Sequence, residues 1–404
     1  MFSLFLCFLQ AAHAFSQSPV CNQVPAILTE LTEITGMKLH HPVPCAFITK
    51  DDVNKFLKDR VKEVAKPDEI RAEELTLKKF GFVPADFDLA KNTIDLLTEQ
   101  AAAFYDFHRK RLCITDWTPS ATREPALVHE LGHALADQNV NLEKFIKQGR
   151  KSDDGSLARL AVMEGQASWL MAEYLARKAG QSLASSPVLL ETMSHSIESG
   201  ASEFPVFESE PLYLRTTLVF PYSQGLLFQN AVYQRMKQKA FEEVFQRPPV
   251  STQQILHPDL YFSGLQPAKP ALPQLPDAHG YKRIAEGTMG ELDHSILMEQ
   301  YGTKEDSAAQ APHWRGGVYA LLERRSPERV VLLYAVEWDD AASAARYFRL
   351  YRQVLGKKWK RVEIASESDT MLAGIGDDGH FLVQLAGSVV TSVEGAENPI
   401  AAAR

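Results

Sequence analysis

The chain has 404 residues, 45% of them hydrophobic and 23% charged, which leaves room for a sizeable core and suggests two domains. Lys and Arg number 43 against 51 Asp and Glu, and the net charge of −8 argues against nucleic acid or an anionic membrane surface as partner. No segment holds the roughly eighteen continuous apolar residues that a transmembrane helix requires.

Phe2 to Leu9 is an apolar run followed by Ala12-His13-Ala14, the pattern of a secretory signal peptide over residues 1–14. A secreted or periplasmic protein is therefore expected. No Lys or Arg precedes the run, which keeps a buried N-terminal helix as the alternative. Of the four cysteines, Cys7 would leave with the leader. A Cys21–Cys45 bridge would close a short loop and leave Cys113 buried in a strand, although spacing leaves other pairings open.

Residues 24–38 have mixed helical character, and Cys45 to Thr49 reads as a short strand. Thr49 can cap a helix whose apolar stripe runs Val53, Phe56, Leu57, Val61, Val64, with Pro67 as its end. A further helix is expected from Phe87 to Glu99. Ala102–Asp106 and Arg111–Thr115 form a β-hairpin signal, either purely structural or an edge against which an extended peptide can lie. After a polar loop over 116–124, Pro125 suits the start of a helix that ends near Asn139–Asn141.

The 145–156 stretch reads as a loop, with Ser156 capping a long helix that reaches about Lys178 and closes at Gly180. A Ser-rich polar region follows, then a helix over about 222–244. Pro267, Pro270, Pro273 and Pro276 recur at the period of polyproline II, which suits a linker over 266–280 better than a docking motif. Beyond it a helix near 289–299, strands at 318–322 and 330–336, and a helix with Ala341, Ala345, Phe348, Tyr351 and Leu355 on one face are expected. Strands near Val362, Met371, 381–385 and 389–393 complete the pattern, with a turn at Asp377-Asp378-Gly379. The fold class is thus α+β. A mostly helical domain with a short hairpin covers 15–265, and a smaller α+β domain with an antiparallel sheet covers 281–395.

The chemistry is concentrated in Ala126-Leu-Val-His129-Glu130-Leu-Gly-His133-Ala-Leu-Ala-Asp137-Gln138. This is H-E-x-x-H on a helix: two imidazoles one turn apart share a face, and Glu130 beside them can take a proton from a water that a metal polarises. By chance the motif arises in about one chain of this length in a hundred, so a third ligand matters. Glu164, in Met163-Glu164-Gly165-Gln166-Ala167, falls in phase with Leu157, Leu160, Ala161 and Ala167 on a face that should be buried. A carboxylate there is costly unless it is paired or bound to metal. Zinc held by His129, His133 and Glu164 accounts for it, and an ion pair with an Arg or Lys, such as Arg159, is the alternative. Gly165 beside it permits close approach of another helix.

H-E-L-G-H-A-L-A-D-Q followed some thirty residues later by E-G-x-A resembles the gluzincin-type zinc metallopeptidases of bacteria. The resemblance is most specific over 102–180 and continues weakly through Phe220-Pro-Tyr-Ser-Gln-Gly225 and 251–258. It implies a zincin-like fold for the helical domain, Zn2+ on His129, His133 and Glu164, Glu130 as base, and a peptide or protein substrate. For the oxyanion donor, Tyr222 in the Phe-Pro-Tyr turn is the first candidate and His257 the second, each weighed against simple packing. Asp137 can orient a ligand imidazole or cap nearby loops, and Ser168 is a comparable supporting residue. His40, His41, His108, His195, His279, His294, His313 and His380 read as turn-like or exposed. An inactive scaffold that binds a partner at the cell envelope is the competing reading, and retention of Glu130 weighs against it.

Overall fold

A computed structural model of the chain describes residues 20–399 except 54, 56–65, 101, 151 and 277. The leader over 1–14 and the stripe through Phe56, Leu57, Val61 and Val64 lie outside the described residues. The chain is α+β, with helices dominating the first two thirds and an antiparallel sheet the last.

Helix α1 (Val24–Thr35) buries Ile27, Leu28, Leu31 and Ile34 and ends at Gly36, whose φ of 72° suits a residue without a Cβ. The Cys21–Cys45 disulfide ties its start to strand β1 (Cys45–Ile48), and Cys113 is free and buried, as expected. Helix α2 (Pro67–Phe80) was not anticipated: Pro67 begins a helix of its own. Its signals are local, with Pro at the first turn, Asp68 and Glu69 behind it, Lys78 and Lys79 in the last turn and Gly81 at φ 84°. Helix α3 (Leu89–Gln100) leads to the hairpin β2 (Ala103–Asp106) and β3 (Arg111–Thr115). β1 joins β3 in parallel, giving the order β1-β3-β2 with β2 at the edge among the described residues.

The motif helix α4 spans Ser120–Val140, so Pro125 lies inside it and the polar loop is shorter than expected. Asn141, at φ 52°, ends α4 and caps α5 (Leu142–Gly149) by accepting the Lys144 N–H at 3.0 Å. The 145–156 stretch is therefore largely helical. Ser152, in place of Ser156, caps α6 (Asp153–Lys178), accepting the Gly155 N–H at 3.0 Å. The Ser-rich region carries α7 (Pro187–Ala201) and α8 (Pro205–Ser209). Helix α9 then runs Leu212–Met236 with Pro221 in its interior, ten residues earlier than the expected start. A Pro-containing turn is a start signal locally, and only burial on both sides of Pro221 keeps the helix continuous. Short helices α10 (Ala240–Gln246), α11 (Thr252–Leu256) and α12 (Pro258–Ser263) follow.

The described residues of the Pro-rich stretch form no helix or strand. Its Ala268 N–H bonds the Arg315 carbonyl at 2.7 Å, and Leu272 and Leu275 pack on one face of the sheet beyond. That sheet has seven antiparallel strands in the order β4-β5-β6-β10-β9-β8-β7: β4 Lys282–Thr288, β5 Trp314–Arg325, β6 Glu328–Trp338, β7 Val362–Glu367, β8 Met371–Gly376, β9 Gly379–Ala386 and β10 Val389–Ala396. Asp377 and Asp378 make the turn between β8 and β9, as expected. Helices α13 (Glu291–Tyr301) and α14 (Lys304–Gln310) precede β5. Helix α15 (Ala341–Lys358) covers β6, β9 and β10 through Ala344, Tyr347, Phe348, Tyr351, Val354 and Leu355, while Ala341 is exposed.

One hydrophobic core runs through both parts. Phe80 meets Tyr319 and Tyr334 edge-on with ring centroids 5.6 and 5.5 Å away, and Tyr301 Oη donates to the Gly81 carbonyl at 2.6 Å. Helix α2 is thus gripped by the sheet domain. His294 departs from its exposed expectation. It is fully buried, with Nδ1 2.7 Å from the Gly290 carbonyl and Nε2 2.5 Å from Tyr334 Oη, and burial pushes it down to about 4.

Candidate metal centre

Helical spacing brings His129 and His133 to one face of α4, and their Nε2 atoms stand 3.1 Å apart. Glu164 reaches them from α6, its Oε2 lying 3.0 Å from His129 Nε2 and 3.2 Å from His133 Nε2. The crossing that allows this uses small residues. A Cβ on Gly132 would stand 3.4 Å from Ala167 Cα, and one on Gly165 would stand 2.2 Å from the carbonyl carbon of Gly225 on α9. The G of H-E-L-G-H and the G and A of E-G-x-A are thus the contact points of three helices. Gly225, inside an otherwise helical pattern, carried the sequence signal for its own part in this.

The Arg159 alternative fails. Its Nη1 donates to the Phe145 carbonyl at 3.1 Å and its guanidinium lies over the Phe145 ring, away from Glu164. Glu164 is 8% exposed, and its partners are the two imidazoles and the Tyr222 hydroxyl. Burial raises its carboxyl, but His133 and His129 outweigh that and hold it below the usual carboxylate range. Two imidazole nitrogens and a carboxylate oxygen facing one another are mutually unfavourable unless a proton or cation lies among them. Two nitrogens and one oxygen form a zinc ligand set, and ligand atoms of a tetrahedral zinc stand about 3.3 Å apart, close to the triangle found. The residues present fit the ion.

Glu130 offers a carboxylate oxygen within 4.8 Å of the ligand nitrogens of His129 and His133. Burial pushes it up to about 7, with His129 opposing, Glu164 adding and the Tyr105 N–H opposing. That N–H, on edge strand β2, donates to Glu130 Oε2 at 2.8 Å. Tyr105 Oη also donates to Asp137 Oδ2 at 3.1 Å, so one strand residue holds the motif helix at two points. Sequence gave no signal for Tyr105, because its role depends on how the hairpin folds back over α4.

Asp137 follows the second of its two expected roles. It accepts from Lys110 Nζ at 2.5 Å and from the Leu142 N–H at 3.1 Å, capping α5 and anchoring the hairpin turn. Tyr222 is brought to the centre, its ring stacked on that of His129 with centroids 5.8 Å apart and planes 25° apart. It arrives from the middle of α9 and not from a helix start. Burial raises its hydroxyl well above 10, with Glu164 and Glu130 adding, so it remains a neutral donor. His257 is held elsewhere, its Nε2 2.8 Å from Glu291 Oε1. Ser168 is buried and, among the described residues, makes no hydrogen bond to the three ligand candidates.

Comparison with known proteins adds one match. A family model described as a domain of unknown function (DUF8575) matches residues 278–403, the sheet-bearing part, which leaves α4, α6 and α9 outside it. No curated protein and no solved structure matches the chain.

Proposed function

We propose that this chain is an exported zinc-dependent metallopeptidase with a zincin-like helical domain, hydrolysing peptide bonds between the motif helix and the edge strand β2. The observation that carries the reading is the convergence of His129 Nε2, His133 Nε2 and Glu164 Oε2 within 3.2 Å of one another, beside Glu130. The chemistry that zinc supplies when bound is acidification of a water and polarisation of a carbonyl. Glu130 accepts the proton of the attacking water and returns it to the leaving amine. The Tyr105 N–H fixes the carboxylate for this task. Tyr222, neutral at any physiological pH, donates its hydroxyl to the developing oxyanion. The buried flank of the site, closed by the α4–α6–α9 crossing, keeps bulk water from the ligands. The Cys21–Cys45 disulfide supports an oxidising compartment, in keeping with the leader.

Zinc content and peptide hydrolysis test the reading together. Glu130→Gln should keep its zinc and lose hydrolysis, and undiminished turnover in that variant would falsify the mechanism. Tyr222→Phe should keep its zinc and lose about a hundredfold in kcat, the usual effect of removing one oxyanion donor. An unchanged kcat would remove Tyr222 from that role.

A further inference from the structure

Helix α9 is buried through Leu214, Thr217, Phe220 and Pro221, while Arg215, Leu218, Val219 and Tyr222, which share one face, are each partly exposed. Tyr222, at one end of this face, lies against His129, so the face begins at the metal centre. Arg215 is seven residues away, two turns along the same face and about 10 Å distant by helical rise. Between Lys178 and Arg235 it is the single Lys or Arg in the sequence.

The guanidinium is weakly committed. Nη1 reaches Glu208 Oε1 at 3.3 Å, longer than the roughly 2.8 Å of a well-formed charge-assisted bond, and Glu208 is 53% exposed. Nε is buried and has no hydrogen-bond partner among the described residues. A buried, unpaired donor on a cation is costly, and a bidentate carboxylate is the ligand that satisfies it.

The opposite wall is fixed. Glu99 of α3 accepts the Val206 and Phe207 N–H groups at 2.9 and 3.0 Å, which roots the segment carrying Glu208. Glu99 stands four residues before β2, so the segment carrying Glu208 is tied to the chain that leads into the strand whose Tyr105 N–H holds Glu130.

On the reading given under Proposed function, the geometry points to Arg215 as a substrate-binding residue that recognises a peptide carboxylate about three residues from the cleaved bond, at roughly 3.3 Å per extended residue. The carboxylate is either the peptide's C-terminus or an Asp or Glu side chain. The substrate displaces Glu208 from Nη1 and pairs the buried Nε.

The test measures binding, so it does not depend on turnover. Three fluorescein-labelled alanine-based peptides are titrated into the zinc-loaded Glu130→Gln protein: a free acid, its C-terminal amide, and an amide with Glu near its C-terminus. The free acid should bind about ten- to a hundredfold more tightly than the plain amide, and a side-chain ligand would shift that advantage to the Glu-containing amide. Adding Arg215→Ala should collapse the advantage toward one, and Arg215→Lys should restore part of it. Equal affinities for all three peptides would overturn the proposal, as would an advantage that survives Arg215→Ala. Retained zinc and an unchanged melting temperature verify that the variants are folded. Absent hydrolysis in the wild-type protein with this discrimination intact would count against the peptidase reading alone.

Discussion

Helix α6 buries carboxylates at three places, Asp154, Glu164 and Glu173, and the first two are treated in opposite ways by their surroundings. At mid-helix, Glu164 faces two imidazoles and is held below the usual range although burial acts to raise it. At the N-terminus, Asp154 is equally buried but, among the described residues, forms no ion pair. Its Oδ1 accepts the Thr252 N–H at 3.0 Å and the Thr252 hydroxyl at 2.6 Å. Burial, with Asp293 and Glu291 adding, pushes it up to about 7 against those two bonds. Asp293, capping Gly290 at 2.8 Å, is pushed up to about 6 by burial. Asp153 accepts from Tyr319 Oη at 2.8 Å, and Glu291 faces His257 at 2.8 Å.

The difference lies in what compensates each charge. The starts of α6, α11 and α13 meet at this junction, and their N–H groups, which lack partners within their own helices, favour negative charge there. Dipoles and hydroxyls suffice to seat a carboxylate between packed elements, at the cost of a raised pKa. The mid-helix site instead presents nitrogen lone pairs, which suit a cation. Burial of an acid is therefore a weak pointer to metal, and the identity of the facing groups decides.

The largest test of this contrast is Glu164→Ala, which should weaken zinc binding more than about a hundredfold, since even supporting residues around a metal are worth 10- to 100-fold. Metal analysis after dialysis checks it, and a normal zinc content would remove Glu164 from the ligand set. Next, Gly165→Ala should cost about 3 kcal/mol in denaturant unfolding, because its Cβ would stand 2.2 Å from the Gly225 backbone. Gly200→Ala on α7, with nothing within 4 Å of its Cβ, should change stability by only about 0.5 kcal/mol in the favourable direction. Similar losses in both variants would mean that the α6–α9 crossing is not tight.

The last test concerns the acid junction. A carboxyl whose folded pKa is raised holds its proton more tightly when folded. The stability it contributes is complete below the unfolded pKa near 4 and is lost as pH rises through about 7. From pH 5 to pH 8, wild-type stability should therefore fall relative to that of Asp154→Asn by on the order of 2 kcal/mol, the effect being shared with Asp293. A difference independent of pH would show that Asp154 is charged throughout.

Sequence by itself determined the elements whose signals are local. The i, i+4 pair His129 and His133 with Glu130 follows from helical period. The antiparallel C-terminal sheet follows from alternation and its Asp377-Asp378 turn, whereas spacing made Cys21–Cys45 only one of several possible closures. Glu164 was legible because a carboxylate in phase with Leu157 and Ala161 demands a partner. Only tertiary structure decided that Gly225 is what Gly165 touches, that the Tyr105 N–H holds Glu130, and that Tyr222 arrives from mid-helix past Pro221. It also decided that three helix starts meet around Asp154. Each of these depends on which distant surfaces pack together, a choice made by total burial and close fit that no local window of residues contains.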